Sequence, residues 1–328
     1  MAFTSTSWQN PVILILCFLI IVSIRFNRNS LVVDRPLNDA AFYIANVERH
    51  RGEKTSYTYK EPFNERFLVT ILAAHLPLEP LTAINITNIG FLLFSLYLLG
   101  SILKKLGIPE KLVWLGLYLF VFSFSTFYYS TIGYTDPGVL AMIFMGVNAL
   151  YFNKYWLFLL SMILGTFAKE GIVLLIPVAL AYGYSRDDKK WLLTGTVAFI
   201  IFLGLTTLVK LNVGEHHNAP FFWRFDLNRV GFNLSRPNFY ASSALSFGIP
   251  GSLCLIFLYK YGKNIMEMCK EDLPLIVGTI SAFLPWIYMI FSAFPDGRAF
   301  WIASCFPIAL SMVWWNRYGN PFTKTPVR

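Results

Sequence analysis

An all-helical membrane bundle of ten or eleven spans is the fold class predicted for this chain, and three observations predict it. Of 328 residues, 56% are hydrophobic and only 14% charged, with a mean hydropathy of +0.55, outside the range of soluble globular domains. Apolar runs recur along the whole chain, separated by short charged turns. The 31 Phe, 17 Tyr and 9 Trp are the aromatic loading expected of lipid-facing helices with interfacial belts. In such a protein the net charge of +9 reflects topology and anionic lipid, not nucleic acid.

The apolar runs predict helices over 11–26, 80–103, 112–130, 137–153, 155–168, 171–185, 191–211, 242–261, 273–293 and 299–316. Several fall below the ~20 residues of a usual span. A shorter stretch at 67–78 predicts a further short or re-entrant helix. The first run follows MAFTSTSWQN, which has no Lys or Arg, and lacks a small-residue cleavage pattern. It is expected to stay as a span, not to be removed as a signal peptide. Cys17, Cys254, Cys269 and Cys305 have no paired spacing, so neither a disulfide framework nor a zinc site is expected.

Orientation follows from the short turns. Lys104, Lys105, Lys111, Lys154, Arg186, Lys189, Lys190, Lys260, Lys263, Lys270, Arg317, Lys324 and Arg328 all fall on one side of ten alternating spans, which the positive-inside rule makes cytoplasmic. Arg25 and Arg28 oppose this for the first span. A single transmembrane domain results: first span 1–26, first outer loop 27–66, central helices 67–211, outer loop 212–241, last three spans 242–316 and a cytoplasmic tail 317–328. Because Lys154 and Arg186 share a side, residues 155–185 must cross twice, with Lys169 and Glu170 at the outer turn. Ten of the thirteen arginines fall outside, and ten of the fourteen lysines inside. The arginine fork suits phosphate and carboxylate, so the asymmetry points to an anion-handling site on the outer face.

In that first loop, PLNDAAFYIANVERHRG (36–52) has apolar residues at 37, 40, 41, 44 and 47, one helical face. The pattern predicts an amphipathic helix on the outer leaflet, capped by Asn38 and stapled by Leu37 and Phe42. Asp39 would be its first residue, either stabilising the helix start or serving as a general base; Asp34 reads as loop. Arg66 either snorkels at the interface or binds phosphate. Asp136, ahead of Pro137, suits a helix start as well as a catalytic carboxylate. Lys169 and Glu170 lie between two short spans, an arrangement that usually surrounds a cavity. His216 and His217 read as ordinary loop; with Asp136 or Glu170 they are the candidate ligands for a divalent metal ion, though no metal spacing is diagnostic. Arg298, after the Pro295-Asp296-Gly297 turn, runs against the positive-inside trend. Trp223 and Tyr134 suit a sugar platform or an interfacial belt equally.

In their order and common side, these residues resemble the motifs of the GT-C superfamily of polytopic glycosyltransferases. The likeness rests on an acidic residue in a long first outer loop (Asp39), a Pro-Phe-x-x-Arg segment (Pro62, Phe63, Arg66) and an Asp at the next outer turn (Asp136). It extends to a Lys-Glu pair at a broken helix (Lys169, Glu170) and a late Asp-x-Arg (Asp296, Arg298). It implies transfer of a sugar from a polyprenyl-phosphate donor to an extracytoplasmic glycan, lipid or protein, usually with inversion, in a bacterial inner membrane. Asp39 would then deprotonate the acceptor, Arg66, Lys169 and Arg298 would hold the donor phosphate, and Asp136 or Glu170 would stabilise the transition state or hold a metal. Many members carry a paired acidic motif in the first loop, whereas here Asp39 alone has that context. A lipid-linked sugar transporter, a polysaccharide polymerase and a non-catalytic membrane subunit are the competing readings.

Overall fold

The structure is a computed structural model that describes residues 9–32, 39–55, 65–213, 227–292 and 297–322. Among these, every regular element is a helix. On α1 (Gln9–Val32), Leu14, Phe18 and Val22 face inward at a spacing of four, while Val12, Leu16, Ile20 and Ile24 are exposed. A helix with apolar residues on its outer face as well suits hydrocarbon surroundings, not water.

α2 (Asp39–His50) and α3 (Leu68–Ala74) form a small layer against the start of α4 (Pro80–Lys105). Their shared core holds Tyr43, Ile44, Val47, Val69, Ala73 and Ile84. The apolar face of the expected amphipathic helix is thus covered largely by protein. α3 extends about 10 Å at the usual rise, too short to cross a bilayer. Arg51 donates to the carbonyls of Ala74, Leu76 and Leu78 at 3.3, 2.8 and 2.8 Å, satisfying groups that the helix end leaves open. Glu79, accepting from the amides of Leu81 and Thr82, then caps α4.

The single helix expected over 112–130 is two, α5 (Glu110–Val121) and α6 (Phe124–Tyr129). Ser123 leaves the helical conformation, and its hydroxyl caps the Thr126 amide. α7 (Asp136–Tyr151) is the central helix, buried at every position except Asn148. α8 (Tyr155–Ala168) ends where Lys169 becomes extended, and a 3-10 turn, Glu170–Leu174, leads into α9 (Leu175–Ser185). Gly146 makes room for Leu175 and Ser161, and Gly165 for Ile172, the small-residue packing by which membrane helices approach closely.

α10 (Lys189–Val213) exposes Leu193, Ile200, Leu203 and Leu211. After α11 (Leu227–Leu234), α12 (Pro237–Ser281) has a kink at Gly248, whose φ of 57° lies in the left-handed region. Pro250 lacks the N–H that would bond to the Ser246 carbonyl, and glycine at 248 tolerates the resulting bend. Beyond Gly262 the chain doubles back, so that Pro237–Gly262 and Lys270–Phe291 lie side by side: Phe247 packs on Phe283, and Trp286 donates to Ser243 at 2.8 Å. α13 (Phe283–Ser292), α14 (Arg298–Ile302) and α15 (Cys305–Tyr318) complete the bundle. The breaks before α13 and α15 have a common cause. Pro285 and Pro307 lack the N–H groups that would bond to the carbonyls of Ser281 and Ala303.

The bundle has two polar ends. At one, Lys105 lies 5.2 Å over the Phe152 ring, and Asn153 accepts from Tyr182 and Trp191 at 3.4 and 3.1 Å. There too Asp272 accepts from Arg317 at 2.6 and 3.2 Å and from Trp314 at 2.9 Å, and Lys260 donates to the Pro321 carbonyl. Tyr151 lies within electrostatic reach of both Arg186 and Asp272, which joins these contacts into one basic end. The start of α8 and the end of α9 therefore meet, and residues 155–185 form a hairpin with Lys169 and Glu170 at its far tip. By length and composition four helices can cross a membrane: Pro80–Lys105, Lys189–Leu211, Pro237–Gly262 and Lys270–Phe291. Shorter apolar helices cover Pro11–Ile24, Asp136–Tyr151, Tyr155–Ala168 and Glu170–Ser185.

Lys54 and Lys189 are exposed at opposite ends. In intact cells, an impermeant maleimide should label only one of Lys54→Cys and Lys189→Cys. Equal labelling of both before permeabilisation would contradict the two-ended arrangement.

Candidate functional site

At the end opposite the basic turns, five separate segments bring six charged side chains together. Asp39 opens α2, Arg66 precedes α3, Asp136 opens α7, Lys169 and Glu170 form the break after α8, and Arg298 opens α14. Arg66 donates from Nε and Nη2 to the two carboxylate oxygens of Glu170 at 3.2 and 2.6 Å. Lys169 Nζ donates to Asp136 Oδ1 at 2.6 Å. Arg298 Nη1 donates to Asp39 Oδ2 at 3.3 Å and lies 3.7 Å from Asp136 Oδ2. All six candidates from the sequence thus fall in one cluster of three cations and three carboxylates.

Local structure explains their placement. Lys169 has φ −175° and ψ 148°, so the backbone straightens there and consecutive side chains reach different partners. Arg298 follows Gly297, which sits so close to Ser246 and Ser242 that a Cβ would clash with them. The Gly297 amide donates to Ser242 Oγ at 2.9 Å. The turn carrying Tyr134 and Asp136 is held by two asparagines of α4. Asn85 Oδ1 accepts from the Gly133 amide at 2.9 Å, and Asn88 Nδ2 donates to the Tyr134 carbonyl at 2.7 Å. Gly133, at φ 79°, lies against Ala40, so the same turn abuts the start of α2. The Arg298 guanidinium lies 4.7 Å from the centre of the Tyr134 ring, within cation–π range.

The three carboxylates differ in access. The Asp136 side chain is 2% exposed, that of Asp39 23% and that of Glu170 40%. Asp136 is an internal counter-charge, whereas Asp39 and Glu170 can meet a molecule from outside. Tyr43, one turn after Asp39 on α2, accepts from Arg66 Nη1 at 2.9 Å. Burial raises the Tyr43 phenol above its usual range despite the opposing pull of Arg66, so it stays neutral. Burial alone would favour loss of the Arg66 proton, but Glu170 and Tyr43 outweigh it and hold the guanidinium charged.

Sequence reasoning missed Tyr43, Asn85 and Asn88. The signals were the i+4 spacing from Asp39 and two amides three residues apart in an apolar run. It also gave Arg66, Lys169 and Arg298 equal standing as phosphate ligands. Among the described residues, Arg66 and Lys169 each reach a carboxylate at 2.6 Å, and Arg298 reaches Asp39 at 3.3 Å. Asp34, Pro62, Phe63, His216, His217, Trp223 and Asp296 lie outside the described residues. Among the described residues, no group of three or more His, Cys, Asp and Glu could hold a metal ion.

A cavity of about 550 Å³ lies between α5, α6, α12, α14 and α15. Its walls include Phe122, Phe247, Ile249, Phe300, Trp301 and Ile308. Phe300 and Trp301 belong to the short helix that begins at Arg298, so one element serves both the apolar cavity and the charged cluster.

Removing Lys169 would leave the nearly inaccessible Asp136 without its closest counter-charge. Lys169→Met should cost about 3 kcal/mol, and adding Asp136→Asn should recover part of that. A double-mutant cycle on reversible unfolding in detergent should give a coupling of roughly 1–3 kcal/mol; additive losses would mean that the contact contributes nothing specific. Compared with known proteins, the chain matches no family model, no curated protein and no solved structure.

Proposed function

We propose that this chain is a membrane glycosyltransferase of GT-C type, moving a sugar from a polyprenyl-phosphate donor to an extracytoplasmic glycan, lipid or protein. The observation that carries the reading is the convergence of an accessible carboxylate, Asp39, with Arg298, which opens the short helix whose Phe300 and Trp301 line an apolar cavity. The cavity lies within the size range of small-molecule sites and suits part of an isoprenoid chain. In this reading the chain makes ten passes: α1, α4, α5 with α6, α7, α8, α9, α10, Pro237–Gly262, Lys270–Phe291 (the end of α12 with α13), and α14 with α15. The positive-inside rule then puts the basic end in the cytoplasm and the charged cluster outside, in keeping with a bacterial inner membrane.

The chemistry asked of the cluster is a single displacement. The acceptor oxygen bonds to the anomeric carbon as the bond from that carbon to the phosphate oxygen breaks. The bonding pair leaves with the polyprenyl phosphate, and the acceptor proton passes to Asp39. Negative charge grows on the phosphate while positive charge grows on the sugar ring. In this reading Arg298 stabilises the first and Glu170 the second. The reading needs no bound metal, and one supplied from outside the described residues would serve the same phosphate.

The balance of three cations and three carboxylates also favours a second reading, in which the cluster is a clamp in a non-catalytic subunit. Asp39→Asn separates the two. It removes the proton acceptor at nearly constant size, so turnover of lipid-linked sugar in reconstituted vesicles should fall about 10²–10⁴-fold, with donor binding little changed. The clamp reading predicts near-normal turnover and a stability loss of only roughly 0.3–1 kcal/mol at the helix start.

A further inference from the structure

The apolar cavity has two ends. At one are Phe300 and Trp301, in the helix that Arg298 opens. At the other are Ile256 of α12 and Phe322, which follows the last helix. Gly319, with φ 77°, turns the chain back where α15 ends. The Pro321 carbonyl then accepts from Lys260, one helical turn beyond Ile256. The Phe322 amide donates to Asn320 Oδ1 at 2.9 Å, and its ring meets the Trp315 ring edge-on at 6.3 Å. The segment after α15 therefore sets an aromatic ring across the far end of the cavity.

Two measures of size agree. The α12 wall runs from Ala244 to Ile256, at most about 18 Å of helix. An extended chain advances roughly 1.2 Å per bond, so an isoprene unit, with four main-chain bonds, takes about 5 Å. By length the cavity holds between three and four units. Its volume of about 550 Å³ holds roughly eighteen groups of the ~30 Å³ that a water-sized group occupies. At five carbons per unit, that is again between three and four. The cavity also has an open side, where Phe122, Leu245 and Ile249 are each at least half exposed. A longer chain can leave there into the bilayer.

We propose that the cavity measures the donor lipid, with Phe322 as its floor, so that only the first three to four isoprene units after the phosphate are recognised. This rests on the glycosyltransferase reading and adds a specificity to it. Units inside the cavity gain dispersion contacts with its walls, which an unfilled void forfeits. Units beyond the floor lie among bilayer chains whether the lipid is bound or free, so they add nothing to binding. Arg298 and Phe322, at opposite ends, fix where that change occurs.

The test uses the full chain in nanodiscs and isoprenyl phosphates of two to five units: geranyl, farnesyl, geranylgeranyl and geranylfarnesyl phosphate. Thermal stabilisation reports binding, expressed per mole fraction of probe in the bilayer so that partitioning cancels. The matching alcohols are the uncharged controls. Binding should tighten severalfold with each unit up to the fourth and change less than twofold at the fifth. Phe322 is 67% exposed on a turn, so substitutions there should leave the melting temperature of the unliganded protein unchanged. In Phe322→Ala the fifth unit should also tighten binding severalfold, and in Phe322→Trp the gain should stop at the third. The wild-type series decides the matter even if a variant does not fold. Binding that levels off at the same length in all three proteins, or that never levels off, would overturn the floor and leave the glycosyltransferase reading standing. Alcohols binding as tightly as their phosphates, or no stabilisation by any probe, would remove both.

Discussion

Opposite charges that have to meet in apolar surroundings are the constraint on which this structure depends. A charged side chain in a membrane interior costs roughly 2.5–3.5 kcal/mol even on mild scales, so each cation must reach a carboxylate. Here the partners lie far apart in sequence. Arg66 meets Glu170 across 104 residues and Arg298 meets Asp39 across 259. Meeting that demand uses the extended backbone at Lys169, which sends Lys169 and Glu170 to different partners. It also fixes a glycine ahead of Arg298, where Ser242 and Ser246 press against the chain. The opposite end has its own version, with Asp272 tying α12 to Arg317 and Trp314 of α15.

Much of this was legible before any coordinates. Apolar runs locate nearly every long helix, because a segment that must satisfy its own backbone among apolar neighbours has few alternatives. The side-sorting of Lys and Arg separates the two polar ends, and the hairpin over 155–185 follows from it. The sharing of charges was not legible. Nothing in the order Asp39, Arg66, Asp136, Lys169, Glu170, Arg298 says that Arg66 takes Glu170 while Lys169 takes Asp136, since pairing is a property of tertiary packing. Helix breaks were missed where a single residue decides them, as at Ser123, Pro285 and Pro307, because hydropathy does not register a missing N–H. The face of α2 was read as lipid-bound because periodicity reports an apolar stripe and not what covers it.

Access divides the labour among the carboxylates. Asp136, inside the bundle, is a fixed negative charge that holds Lys169 and steadies Arg298 from behind. Asp39 and Glu170 are partly exposed and are the groups that a molecule from outside the bundle can touch. Tyr43, Asn85 and Asn88 add no charge, yet they set where the charges sit, and the same α14 carries Arg298 and part of the cavity wall. An apolar chain in that cavity and a phosphate at Arg298 would therefore be read by adjacent turns of one short helix.

The central claim is that Arg298 receives the phosphate of a lipid-linked substrate. A density map of the protein with a polyprenyl-phosphate sugar bound tests it most directly. The account predicts phosphate density in hydrogen-bond contact with Arg298 and the lipid chain running along Phe300 and Trp301. It also predicts that the Arg66–Glu170 and Lys169–Asp136 pairs remain intact. A phosphate seated at the basic end, or one held by Arg66 and Lys169 while Arg298 still contacts Asp39, would contradict it.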